Sequence, residues 1–313
     1  MGRAAYIRKR LMLMIFVVFG VTIIIFSMVH FLPGDPAATL LGDRATQQNI
    51  AELHEQLGLN RPLPEQYWMF VSGLVRGEMG TSLVFRQPVN QLVLSRVPIT
   101  IGLTVYAMGL AAIFTLVFGI LAAVNKGRLI DQVIRVTFLF CLTTPNFWFG
   151  ILLILVLSLA LKWFPVAGFG ATTQDHVWYL FLPALTLGLQ LAAVLIRNLR
   201  SQVILTLRSD FVRTSRAKGL PERLVLVRHV LRNALLSTVT IFGIQFGFLV
   251  GGALVIETVF AIPGLGQLLF TSITSRDYPV VQSITVVTAI MVIVVNLVVD
   301  LSYSFLDPRV TYE

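Results

Sequence analysis

The chain has 313 residues, 56% of them hydrophobic and only 12% charged, with a formal net charge of +9 and a mean hydropathy of +0.84. That balance excludes an ordinary soluble domain and marks an integral membrane protein. The single cysteine, Cys141, excludes an intrachain disulfide and argues against a cysteine-ligated metal.

A bilayer core about 30 Å thick needs roughly 20 apolar residues per spanning helix. Six runs without Asp, Glu, Lys or Arg answer to that length, at residues 11–29, 98–124, 136–161, 177–196, 235–256 and 280–299. They are apolar on every face, as in "AIMVIVVNLVV", whereas strands of a membrane barrel alternate apolar and polar positions over about ten residues. The expected fold class is an all-α integral membrane protein with six transmembrane helices.

Arg3, Arg8, Lys9 and Arg10 precede the first run as they would in a signal peptide. The run is longer than a usual signal core, however, and ends in "HFLPGDP" with no small-residue cleavage pattern, so it is read as a retained helix. In chain order the expected organisation is an N-terminal segment 1–10, a first helix 11–32, an external helical loop domain 33–97, a five-helix core 98–306 and a C-terminal segment 307–313. Within the external domain "TQQNIAELHEQLGLN" reads as a helix opened by Thr46 and stopped by Gly58. "LPEQYWMFVSGLVRG" reads as a second, with Pro64 early and Gly77 as its stop. The connections 162–176 and 257–279 are shorter and rich in Gly and Pro, and no internal repeat of the kind found in many secondary transporters is visible.

Lys and Arg set the orientation, because cytoplasmic loops carry their excess. Of the 24 basic residues, 17 fall on the side of the termini, and both termini are therefore expected in the cytoplasm. The charge is spread over loops rather than gathered into a basic and aromatic patch, so no nucleic-acid partner is expected.

The polar residues expected near the membrane midplane are neutral. Thr144, Asn146, Gln190, Gln245 and Gln282 are the candidate lining of a translocation path, with Pro145 able to free a backbone carbonyl in the third helix. For any single one of them an interhelical hydrogen bond is the readier reading, and only together do they suggest a path. Glu257 and Asp300 sit at membrane boundaries, as candidate gate or structural residues. A proton-driven transporter would want a carboxylate at the centre of the membrane, and none is present. There is also no Gly-Lys-Ser/Thr phosphate loop, no histidine pair at metal-binding spacing and no nucleophile elbow. The chain therefore binds no nucleotide, cofactor or metal of its own on this reading, and an intramembrane enzyme is disfavoured against a transporter.

One charged stretch interrupts the apolar second half: "DFVRTSRAKGLPERLVLVRHVLRNALL", within a cytoplasmic loop taken as 197–234. Ser209 or Asp210 caps a short helix, Gly219 supplies the left-handed residue that ends it, and Pro221 with Glu222 opens another. The second helix carries an apolar stripe at Leu224, Val227, Leu231 and Leu235, with Val230 beside it, and is expected to lie along the membrane surface. It either rests on anionic headgroups or docks a protein.

This stretch resembles the cytoplasmic coupling loop of permease subunits of binding-protein-dependent ABC importers, in particular the B-type subunit of the dipeptide and oligopeptide group. The resemblance runs through the chain in "HFLPGDP", "LGLNRPLPEQYWMFVSGLVRGEMGTSL", "TTPNFWFGILLI", "GALVIETVFAIPGLGQLL", "RDYPVVQ" and "NLVVDLSYSFLDPR". Aligned on Gly219, Arg213, Thr214 and Ser215 stand where the wider family has Glu-Ala-Ala, and Arg232 stands where it has a later Pro, a departure shared by the peptide-type branch. The resemblance implies a type I importer permease fold in a bacterial inner membrane. It further implies a heterodimer with a second homologous permease, two ATPase subunits that bind ATP and Mg, and an external solute-binding protein. Contact with an ATPase subunit would fall on Arg213, Arg216, Ala217, Gly219, Leu220, Pro221 and Glu222. The function so implied is half of an ATP-driven import pathway for peptides or related solutes, the alternative being an ion-coupled secondary transporter. The cargo, whether dipeptide, oligopeptide, glutathione, nickel chelate, opine or sugar, is chosen mostly by the binding protein.

Overall fold

In a computed structural model of the chain, described for residues 3–31, 46–56, 58, 60–82 and 84–306, the described residues are almost entirely helical. They are α1 (Arg3–Phe31), α2 (Gln47–Gln56), α3 (Leu63–Arg76), α4 (Val89–Val124), α5 (Leu129–Thr143), α6 (Asn146–Leu153, continued by Ile154–Ala160), α7 (Thr173–Leu207), α8 (Asp210–Ala217), α9 (Glu222–Val259), α10 (Leu265–Thr274) and α11 (Tyr278–Leu306). The "HFLPGDP" turn from Leu32 onward and the segment 307–313 lie outside the described residues. Four helices, α4, α7, α9 and α11, are long and apolar enough to cross a membrane, and α5 with α6 makes a fifth if the bent pair is one span. The first apolar run lies inside α1, whose apolar part is shorter.

The residues group into two compact units. Unit 1 comprises the described parts of Met1–Ile99 and Pro263–Val294, and unit 2 those of Thr100–Ile262 and Val295–Thr311. In unit 1, the Asn49 amide donates to Thr46 Oγ1 at 3.3 Å at the start of α2. Gly58 and Gly77 take φ of +66° and +76°, the left-handed turns expected after α2 and α3. Tyr67 of α3 packs edge-on against Phe19 and Phe26 of α1, and its hydroxyl lies 2.9 Å from Thr22 Oγ1. Buried Asp277 accepts from the Ser82 hydroxyl and, at 3.3 Å, from the Val84 amide, tying the segment before α4 to the start of α11.

Unit 2 is organised around α7, the most deeply buried of the spanning helices. Thr172 and Asp175 form a capping box at its N-terminus, each accepting from the other's backbone amide. Beyond residue 196, where the apolar run stops, the helix continues to Leu207, so Arg197 and Arg200 are helical. Two expectations change here. The third span is not one helix: α5 ends at Thr143, α6 starts at Asn146, and their axes meet at 113°. Pro145 has no amide hydrogen to continue the ladder, so it caps the new helix instead of merely loosening one carbonyl. Second, "LGQLLFTSIT", taken for connection, forms α10, since Pro263 and Gly264 punctuate its start but do not enter it.

Close helix approach in unit 2 depends on small residues. A Cβ on Gly188 of α7 would stand 2.9 Å from the Ala107 carbonyl oxygen of α4, whereas one on Gly109 of α4 would meet nothing within 4 Å. Gly188→Leu is expected to destabilise the protein by about 1–3 kcal/mol through overpacking, while Gly109→Leu leaves it near wild type. Thermal unfolding of the two variants in detergent checks this.

Candidate functional site

The charged stretch folds as a bent tip on a buried base. Val212 of α8 and Val225, Val230 and Ala234 of α9 form one buried cluster with Ala123 of α4 and Leu199 and Val203 of α7, and Leu220 packs against it. Arg213, Arg216, Ala217, Gly219, Pro221 and Glu222 are exposed. The sequence therefore brings all seven candidate contact residues to one tip, six facing solvent and Leu220 anchoring the bend.

The bend is built as the residue types require. Gly219 has φ +76°, its amide donates to the Arg216 carbonyl at 2.9 Å, and the Leu220 amide reaches back to Ser215 at 3.4 Å. The Ser209 hydroxyl donates to the Thr206 carbonyl at 2.6 Å, so Ser209 precedes α8 without a side-chain cap. Across the bend Arg216 makes a two-pronged ion pair with Glu222, Nε to Oε1 at 2.7 Å and Nη2 to Oε2 at 3.0 Å. Exposed pairs contribute about 0–1 kcal/mol, and this one spans the bend from α8 to the start of α9.

The helix after Pro221 differs from expectation. It is not a separate surface helix but the first turns of α9, running without a break into the fifth span. Over Val225–Leu231 it widens to π-helical spacing, which moves the inward positions to Val225 and Val230, five residues apart. Leu224 and Val227, on the stripe drawn with a 3.6-residue period, are exposed as a result.

A second feature lies where α5 and α6 part. Asn146, Gln190 and Gln245 line a cavity of about 150 Å³ with Leu187, Phe248 and Leu249. Gln190 Nε2 donates to the Thr144 carbonyl at 2.7 Å, satisfying one of the backbone acceptors left by the break at Pro145. The Thr144 hydroxyl is turned away, donating to Phe140 O at 2.7 Å. Four of the five candidate pathway residues thus come together through side chain or backbone. Gln282, half-buried on α11, belongs to unit 1. Glu257 is fully buried near the end of α9, and Asp300 lies on α11 with its side chain outside the described ones. Among the described residues no group of His, Cys, Asp and Glu is placed to hold a metal ion.

Sequence reasoning missed a buried ion pair in unit 2. Asp131, in the first turn of α5, is fully buried and accepts from Arg200 Nε and Nη2, both at 2.7 Å, and from the Gly127 amide at 2.9 Å. Arg135 stands 3.4 Å away. Each of these charges reads in the sequence as an orientation signal at a helix end, so nothing marks them as partners.

Residues 115–312 match the family described as binding-protein-dependent transport system inner membrane component, and residues 4–104 match the N-terminal region of such membrane components. The chain belongs to this family. It is 42% identical over 308 residues to the glutathione transport system permease protein GsiC of Escherichia coli K12, covering 98% of this chain and 99% of that protein. The GsiC protein of Salmonella choleraesuis is 41% identical over the same span. Among solved structures, an inward-facing MetNI methionine ABC transporter chain superposes with a TM-score of 0.58 at 18% identity, over 69% of this chain and 97% of that one. A chain of an amino acid ABC transporter gives 0.54 at 14% identity, over 69% and 94%. The protein is therefore a permease subunit of an ATP-driven importer, with the type I permease fold. It is a non-catalytic, multi-pass inner-membrane subunit that works with an ATPase and a solute-binding protein.

The ion pair yields a prediction. Asp131→Asn leaves Arg200, whose side chain is only 20% exposed, without its counter-charge, and is expected to cost about 3 kcal/mol. Combining it with Arg200→Gln should recover part of that loss, which a double-mutant cycle of thermal unfolding measures.

Proposed function

We propose that the chain forms one half of a heterodimeric pathway for short peptides of the glutathione class. Two ATPase subunits, which hold the ATP and Mg, dock on the α8–α9 tip and its counterpart in the second permease. The observation that carries the cargo class is the end-to-end 42% identity with the glutathione permease. The neutral amides of Asn146, Gln190 and Gln245 are in keeping with it, because they offer donors and acceptors to a peptide backbone without trapping an ion. Their cavity is too small for a peptide and serves as half of a lining that the second permease completes.

In this mechanism, closure of the ATPases pushes on the exposed tip. Arg213, Arg216, Ala217, Gly219, Pro221 and Glu222 meet the ATPase, and Leu220 passes the load to the buried cluster. Because α9 runs unbroken from the tip into the membrane, the push rotates the span that carries Gln245, and Glu257 and Asp300 lie near the ends of the moving helices. A Cβ at Gly219 would meet nothing within 4 Å. The restriction there is conformational, roughly 1–2 kcal/mol for a non-glycine residue held left-handed, with Asn the best tolerated. Gly219→Val is expected to cut binding-protein-stimulated ATP hydrolysis and glutathione uptake severalfold in proteoliposomes of the full complex, and Gly219→Asn to retain most of both. Equal activity of the two variants overturns the lever, whereas absent glutathione uptake with intact stimulated hydrolysis by the wild type overturns only the cargo.

Both termini are placed in the cytoplasm on the 17-to-7 division of basic residues. After replacement of Cys141, single cysteines at Lys126 and Thr311 should resist an impermeant thiol reagent in intact spheroplasts, while one at Gln48 reacts. The reverse pattern refutes the orientation.

A further inference from the structure

A second cavity, of about 210 Å³, lies between α5 and α7 and is lined by three arginines, Arg135, Arg197 and Arg200, above an apolar wall that includes Phe138, Leu139 and Ile196. Its polar end is a built site. Buried Asp131 takes both prongs of Arg200 and so fixes that guanidinium in place. The carboxylate neutralises one cation. Arg135 is 54% exposed at 3.4 Å from Asp131, and Arg197 is exposed with no ion-pair partner among the described residues. Two positive charges are therefore left at the mouth of an apolar slot.

We infer that this slot binds an anionic phospholipid, with its phosphate between Arg135 and Arg197 and an acyl chain along Phe138, Leu139 and Ile196. Charge and shape select this occupant together. A soluble anion answers the guanidinium groups but leaves the apolar wall uncovered, and a zwitterionic lipid brings a cation of its own among the arginines. Leu139 is 56% exposed and Val136, one turn before Phe140 on the same helix, is 67% exposed, so the slot opens onto an apolar face of the kind that meets hydrocarbon. Under the orientation proposed above this end of α5 and α7 faces the cytoplasmic leaflet, where anionic lipid is concentrated. Only the choice of leaflet rests on that proposal, and the binding chemistry does not.

The test is lipid titration of the assembled complex in detergent, read by native mass spectrometry, with dioleoyl phosphatidylglycerol against dioleoyl phosphatidylcholine. Phosphatidylglycerol is expected to bind preferentially. Arg135→Gln with Arg197→Gln should weaken it about fivefold per charge removed, and Arg135→Lys with Arg197→Lys should keep the preference. Arg200 is left intact because it holds Asp131. Equal binding of the two lipids, or an undiminished preference in the double glutamine variant, overturns the inference. Inorganic phosphate or glutathione displacing phosphatidylglycerol at equal concentration overturns it in favour of a soluble anion or the cargo. Because the measurement is made in detergent, a wrong orientation would leave its result unchanged.

Discussion

The carboxylate of Asp131 is the point from which unit 2 is held. It is fully buried, and a lone buried charge would cost several kcal/mol, so it is tolerable only because Arg200 meets it with both prongs and the Gly127 amide adds a third bond. Those contacts join the turn after α4, the first turn of α5 and the C-terminal part of α7. One side chain thereby fixes the rotation of α7 about its own axis. Rotation is what matters for a helix that serves several neighbours, because each neighbour reads a different face.

From that fixed helix the other parts follow in order along its length. Ten residues before Arg200, Gln190 reaches the Thr144 carbonyl and holds the broken ends of α5 and α6 beside the polar cavity. Asn198 accepts from Thr238 of α9 at 3.0 Å, and Leu199 and Val203 form the base on which the charged tip sits. The ion pair, the polar lining and the tip are thus three faces of one helix.

The parts readable from the sequence are those governed by local rules. Apolar runs of spanning length, Thr46 and Gly58 around α2, Gly77 after α3 and the Gly219–Pro221 bend each depend on a residue and its near neighbours. What escaped reading depends on partners distant in the chain or on a change of period. Asp131 and Arg200 are 69 residues apart and each alone resembles a topological charge. The π-helical turns at Val225–Leu231 alter the spacing on which an apolar stripe is drawn, so the stripe fell on Leu224 and Val227 where Val225 and Val230 are buried. Pro145 announces a perturbation, but not its size, 113°, nor the distant Gln190 amide that takes the Thr144 carbonyl beside it.

The lever proposed for the tip would require it to be stiff although it is exposed. A bend that transmits force must resist closing on itself and must not slide on its base. The Arg216–Glu222 fork spans the bend and opposes the first failure, while Val212, Val225 and Val230, all fully buried, oppose the second. Neither would suffice alone. A surface ion pair contributes about 1 kcal/mol or less, and an apolar base without a fixed bend leaves the angle of α8 free. Gly219 supplies the one backbone conformation that lets both be satisfied together. The π-helical turns lie between the tip and the span, and α9 continues through them as one helix, so the proposed push would meet no hinge on its way into the membrane.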